Sequence, residues 1–271
     1  MNLKTSLQYG MPTLIELDTL EETAALCRNL GLSFVELNMN LPMYQAEELD
    51  TVLLAELARE YGIYYTIHLD EAFNPCDFNS RVAEAYTQTA LSTIEAAKEL
   101  SVPVINMHHQ EGIYFTLPDR KAFLFERYKE VYFESLRKFR DSCTAAIGSA
   151  DIKICVENLF GWQKASFLLE GIDLLLESPN FALTLDIGHN AVTDAGDETA
   201  ILHRGERLCH MHMHDAVAAT QKNHLPLGEG ELDILRYLGL AREHNCRVVL
   251  ETKTVAGLRQ SADKLREMGV L

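Results

Sequence analysis

Strand-like and helix-like segments alternate from one end of this 271-residue chain to the other, and that alternation most limits the folds open to it. Short β-type runs are predicted at Leu7–Tyr9, Ser33–Asn38, Ile63–His68, Val102–His108, Ile152–Glu157, Phe181–Asp186, Leu208–His214 and Cys246–Glu251. Helical periods separate them. One opens on Thr19-Leu-Glu-Glu22, which reads as a capping box, and stops at Gly31. Others are predicted at Ala46–Tyr61, from about Arg81 to Leu100, from about Asp119 to Ala146, at Lys164–Glu177, before Gly205, at Asp233–His244, and from about Ala256 to Met268. Strands alternating with helices imply a parallel sheet. Eight βα units in a chain of this length imply a (β/α)8 barrel, an α/β TIM-barrel domain spanning 1–271. A doubly wound open sheet is the rival, but no GxGxxG follows the first strand.

Six of these strands are predicted to close on a metal-ligand residue: His68, His108, Glu157, Asp186, His212 and Glu251. Side chains alternate across a strand. In Ile152-Lys-Ile-Cys-Val-Glu157 the large apolar set faces one way, and Lys153, Cys155 and Glu157 face the other. Phe181–Asp186 repeats the pattern with Ala182, Thr184 and Asp186. The apolar set fits the layer beneath the helices and the other set the barrel interior, with the ligand at the C-terminal rim, where barrels carry their chemistry.

Glu157, Asp186, His212 and Glu251 come from four consecutive strands and form an oxygen-rich set suited to one divalent ion: Mn, Mg, Co or Zn. His68 and His108 stand beside them, either to bind a second metal or to hydrogen-bond substrate; the choice between His108 and His109 turns on strand phase. His189 follows Gly188 on the rim turn, where glycine permits a tight bend, and is read as a substrate contact. His210, His212 and His214 share one strand face; alternation alone does not choose between the upper two, and His210 is expected to be a core histidine with a hydrogen-bonded partner. His224 opens a Gly-containing loop that ends at Asp233, a candidate helix cap. Phe160 and Trp162 follow Glu157-Asn158 and are read as an apolar wall against a sugar face. Arg204, Arg207, Lys222, Lys253 and Arg259 are the basic residues considered for a phosphate.

Composition narrows the partners. Twenty-four basic against forty acidic residues give a net charge of −16, which disfavours a nucleic-acid partner. The six cysteines form no CxxC pair, as in a reduced, cytoplasmic protein. No apolar run reaches the roughly 18 residues of a membrane span, and Met1–Gly10 does not read as a signal peptide.

The motifs Glu157-Asn158, Asp186-x-x-His189, His212-x-x-Asp215, Leu227-Gly-Glu-Gly-Glu-Leu-Asp233 and Leu250-Glu-Thr252 together resemble the xylose-isomerase-like barrel superfamily. That group includes sugar and sugar-phosphate isomerases and epimerases and the barrel-type apurinic endonucleases. The resemblance implies a metal held by Glu157, Asp186, His212 and Glu251, so it favours His212 over His214. It also implies that Glu157 and Glu251 move protons through a metal-stabilised enediolate and that His189 touches substrate. In the endonucleases, residues matching His68 and His108 serve another zinc. A third uses residues matching His189 and His224 plus an Asp two positions before the latter, where this chain has Lys222. The expected partner is therefore a small sugar, sugar phosphate or keto-polyol, with a homo-oligomer left open. A metal-dependent dehydratase of a polyol or keto acid and a zinc-dependent abasic-site endonuclease are the alternatives.

Overall fold

The computed structural model describes residues 7–271 apart from 160, 194 and 195. Eight parallel strands close a barrel in chain order: β1 Gln8–Pro12, β2 Phe34–Asn38, β3 Tyr64–His68, β4 Val104–His108, β5 Lys153–Glu157, β6 Phe181–Asp186, β7 Leu208–Met213 and β8 Arg247–Leu250, with β8 pairing back onto β1. The main outer helices are α1 Leu20–Asn29, α2 Thr51–Tyr61, α3 Ser80–Glu99, α4 Lys129–Ile147, α5 Ser166–Leu176, α6 Asp197–Leu202, α7 Ile234–Glu243 and α8 Val255–Glu267. Among the described residues no helix is long and apolar enough to cross a membrane.

The alternation read from the sequence is the alternation observed. Val35, Leu37, Ile105, Met107, Ile154, Val156, Leu183 and Leu185 join the large core between strands and helices. The intervening residues point into the barrel, where Val104, Cys155 and Ala182 form a small separate cluster with Cys209 packed against it. Phe34 is also fully buried, its ring 5.1 Å from that of Tyr64. Gly10 makes this possible, because a Cβ there would lie 2.3 Å from the Phe34 ring. On β7 the register slips between the pairs Leu183↔Leu208 and Thr184↔His210. This bulge lets Cys209 and His210 both serve the interior and sets the phase of His212.

Helix starts follow side-chain caps. Thr19 accepts from the Glu22 N–H at 3.1 Å while Glu22 accepts from the Asp18 N–H at 3.0 Å. Asp233 caps α7 through the Arg236 N–H. Two expected helices need correction. α2 begins at Thr51 rather than Ala46, because Asp50 caps it by accepting from the Leu53 N–H. The helix expected from about Asp119 is instead a hairpin, Tyr114–Thr116 with Lys121–Phe123, then a short helix Leu124–Arg127 and α4. Pro118 sits in the hairpin turn, where the residue before proline is pushed to extended backbone, and the Leu117 N–H donates to the Arg120 carbonyl across it. A second hairpin, Asp215–Val217 with Lys222–Leu225, occupies a stretch read as loop.

Candidate active site

The strand ends bring the predicted residues to one rim. His68, His108, Glu157 and Asp186 are the last residues of β3 to β6. His212 is next to last on β7 and lies level with Asp186. Glu251 stands just past β8, its N–H donating to the Met213 carbonyl. One ligand atom from each of Glu157, Asp186, His212 and Glu251 lies within 4.8 Å of those of the other three.

Glu157 is the hub. It is fully buried, and its Oε2 lies 3.3 Å from His68 Nε2, 3.6 Å from His108 Nε2 and 3.3 Å from His212 Nδ1. Asn106 donates to the same oxygen and accepts in turn from Thr184 Oγ1 at 2.5 Å. Burial opposes charge on Glu157, but His212, His108 and His189 outweigh it and hold the carboxyl well below the usual range. Glu251 behaves alike: burial opposes its charge, and His212, His224 and Lys253 overcome it.

Asn158 explains the Glu157-Asn158 pair. Its amide donates to the Asp186 carbonyl at 3.0 Å and accepts the Asp186 N–H at 2.8 Å, tying the ends of β5 and β6 together. Asp186 then caps the next turn by accepting the His189 N–H at 2.6 Å. This places His189 Nδ1 3.3 Å from Glu157 Oε1 and 3.5 Å from Asp186 Oδ2. Burial lowers the imidazole's proton affinity, but Asp186 and Glu157 raise it more, to about 9.

His214 has a role that the sequence did not disclose. Its Nε2 lies 3.1 Å from Asp186 Oδ2, its Nδ1 accepts the His224 N–H at 2.7 Å, and its ring stacks on His224 at 4.2 Å. Gly188 is needed for this more than for a tight turn: a Cβ there would lie 1.9 Å from the His214 ring. His189, His214 and His224 thus form a second cluster of nitrogens within 4.8 Å of one another. Lys222 is exposed on the neighbouring hairpin.

A cavity of about 350 Å³ opens above the quartet, lined by His68, His108, His189, His224, Glu251 and Lys253 among others. That size is within the range of small-molecule sites. His109 faces away, buried against the Tyr132 hydroxyl at 2.9 Å, so strand phase assigns His108 to the site. Trp162 corrects the expected sugar wall. It lies on a 3-10 turn, is 1 % exposed and packs in the core, while Leu159 lines the cavity. Phe160 lies outside the described residues. Of the basic residues considered, Lys253 reaches the cavity, 2.9 Å from Glu251 Oε1. Arg204 is held by Asp173, and Arg207 donates to backbone carbonyls of residues 176, 178 and 181.

The arrangement fits a divalent cation. Glu157 Oε1, Glu251 Oε2 and His212 Nδ1 are buried with no hydrogen-bond partner among the described residues. Glu251 Oε2 and His212 Nδ1 are 3.1 Å apart without hydrogen-bond alignment. Buried polar atoms of this kind are rare and need an explanation. Two carboxylate oxygens and an imidazole nitrogen, with Asp186 alongside, are a donor set for a hard to borderline metal.

Comparison with known proteins identifies the family and the fold. The family profile described as "Xylose isomerase-like TIM barrel" matches residues 24–268. An uncharacterized protein of Methanocaldococcus jannaschii, MJ1188, is 25% identical over 224 residues, covering 78% of this chain and 74% of the relative. Among solved structures, a D-tagatose 3-epimerase-like protein superposes with TM-score 0.76 at 21% identity, covering 96% of both chains. The probable 3-DHS dehydratase AsbF from Bacillus anthracis gives 0.75 at 12% identity, over 96% of this chain and 99% of that one. An L-ribulose 3-epimerase gives 0.73 at 16%, over 97% and 94%. At these identities the likeness to solved structures is one of fold.

Proposed function

We propose, for a chain that belongs to the xylose isomerase-like TIM barrel family, that it is a divalent-metal-dependent epimerase or isomerase of a small sugar, sugar phosphate or related keto-polyol. One observation carries the reading. Two glutamates, at the end of β5 and just past β8, converge at a ligand-sized cavity, each with a buried oxygen free of hydrogen bonds among the described residues. The names of the epimerases that share the fold support it.

Glu157, Asp186, His212 and Glu251 would hold the metal, which when bound supplies a Lewis acid for negative charge developing on substrate oxygens. The two glutamates are held ionised, so each is ready to accept a proton at neutral pH. One would take the proton from the carbon beside the carbonyl; the other, after taking up a proton from solvent, would deliver it. Delivery to the opposite face of that carbon epimerises; delivery to the neighbouring carbon isomerises. His189, cationic at neutral pH, lines the cavity and would contact a substrate oxygen. His224 lines the cavity, 3.4 Å from Glu251, and would contact substrate there.

The test is metal analysis of the purified protein followed by deuterium uptake from solvent into a panel of ketoses and ketose phosphates. Exchange that disappears in Glu157→Gln and in Glu251→Gln supports the reading; no exchange with any substrate rejects it. A dehydratase is the second reading, favoured by the superposition on AsbF; it uses the same base but requires a leaving hydroxyl, and loss of water from a polyol or keto acid identifies it. His68 and His108 approach Glu157 closely enough to serve a second metal, which the same metal analysis counts. Net charge −16 and Lys222 in place of a carboxylate weigh against abasic-site cleavage.

A further inference from the structure

The polar chain beneath the quartet contains a residue with no assigned purpose. Glu36 lies in the middle of β2, is 1 % exposed and points into the barrel one layer below the rim. Three groups converge on its carboxylate. Thr66 Oγ1 donates to Oε2 at 3.0 Å, and His210 Nε2 lies 2.9 Å from the same oxygen. Oε1 lies 2.8 Å from Nε2 of His212, somewhat off the line of the ring N–H. A carboxylate oxygen accepts, so the ring nitrogen facing it is the one that carries hydrogen. In the neutral ring that a metal requires, the other nitrogen of His212, Nδ1, then keeps its lone pair, 3.3 Å from Glu157 and 3.1 Å from Glu251.

We propose that Glu36 is a positioning residue of the metal centre: it sets the tautomer and ring angle of His212 from behind, while Thr66 and His210 hold Glu36 in place. The inference rests on the reading that the quartet binds a divalent cation. Ligating histidines commonly donate their second N–H to a carboxylate, and the partner influences affinity as well as orientation. Here that partner comes from β2, separated from β7 by β8 and β1 round the barrel, so the metal centre draws on a strand that contributes none of its four ligands.

The near-isosteric Glu36→Gln keeps the volume but replaces one acceptor oxygen with an amide donor. Its affinity for Co²⁺, measured by competition with a chromophoric chelator, is expected to fall about 10–100-fold, and the visible ligand-field spectrum of the Co²⁺ protein is expected to shift. A variant that is folded by circular dichroism and binds Co²⁺ with wild-type affinity and spectrum overturns the proposal. A second measurement uses the unmutated holoprotein: ¹⁵N shifts of the His212 ring, assigned by comparison with His212→Asn, are expected to show hydrogen on Nε2. Hydrogen on Nδ1 overturns the proposal whatever the fate of the mutant. Wild-type protein that takes up no Co²⁺ sinks the metal reading itself, a failure distinct from a wild type and Glu36→Gln that bind equally well.

Discussion

The floor and the rim of the barrel interior are built by the same strands and are both largely buried, yet they are chemically opposite. On β5 the inward residues are Cys155 low and Glu157 high; on β6, Ala182 low and Asp186 high; on β7, Cys209 low and His212 high. Glu157, Asp186, His212, Cys155 and Phe34 are all fully buried. Depth of burial therefore does not mark the site. The distinction is satisfaction. The floor groups Val104, Cys155, Ala182 and Cys209 are apolar or thiol and pack against one another, whereas the rim presents acceptors that no donor among the described residues meets. An unmet acceptor in a dry interior costs free energy unless a ligand answers it, so the rim trades stability for binding and the floor does not.

The largest effect that tests this contrast is on turnover. Glu157→Gln removes a charge and a proton acceptor at the rim, and a general acid–base group typically contributes about 10²–10⁴-fold. Turnover of whichever ketose exchanges its proton should fall by that order, while Cys155→Ala on the floor should leave it within a few-fold. Steady-state kinetics of the two variants side by side break the contrast if the order reverses.

Two neighbouring histidines sharpen it next. His108 turns into the site and His109 turns outward onto Tyr132. Burial pushes His109 down to about 4, opposed by a hydrogen bond to the backbone at Leu168. The unfolded chain binds this proton below about 6.5 and the folded chain does not until about 4. Stability is therefore complete above pH 6.5, declines as pH falls from 6.5 to 4, and is level below that. The contribution is on the order of 3 kcal/mol. Urea unfolding between pH 4 and 8 should show this slope in the wild type and a shallower one in His109→Gln.

The quartet was legible because each member closes a short run whose large apolar residues alternate with small or polar ones. The period of two assigns the facing, and the strand end assigns the height. Glu36 carried the same signal, an acid at an inward position of Phe-Val-Glu-Leu-Asn, but its partners, His210 and His212, lie on β7, far along the chain. No local pattern announces such a contact. Gly188 was read through backbone freedom, whereas its reason is the His214 ring. Trp162 was placed by its nearness in sequence to Glu157; the turn at Gly161, with φ 76°, precedes the 3-10 helix that buries it in the core. The misread helix from about Asp119 shows the converse limit: its first residues pair instead as the hairpin strand Lys121–Phe123.

Metal supply is the third test. A cation that binds only the folded chain stabilises it by about 2.7 kcal/mol at 100 times its dissociation constant. Differential scanning fluorimetry with saturating Mn²⁺ or Co²⁺ against excess EDTA should register this as an upward shift that Glu157→Gln loses and Cys155→Ala keeps. Burial disfavours the proton on His212, yet Glu157, Glu36 and Glu251 raise its affinity well above the ordinary value. Proton and metal compete for that ring. The shift should grow as pH rises, with proton release on binding.

The smallest effect comes from the floor itself. Gly10→Ala places a methyl carbon 2.3 Å from the Phe34 ring, closer than two carbons can approach, so either the ring or β1 has to move. Overpacking of this kind costs about 1–3 kcal/mol. Phe34 reaches upward toward His210, ring centroids 6.3 Å apart, and His210 leans on Glu36. If floor and rim are separate in function, Gly10→Ala loses stability in urea but binds Co²⁺ with unchanged affinity. A loss of affinity in step with the loss of stability would instead show that the packing of Phe34 is transmitted through His210 and Glu36 to His212, joining the two regions into one device.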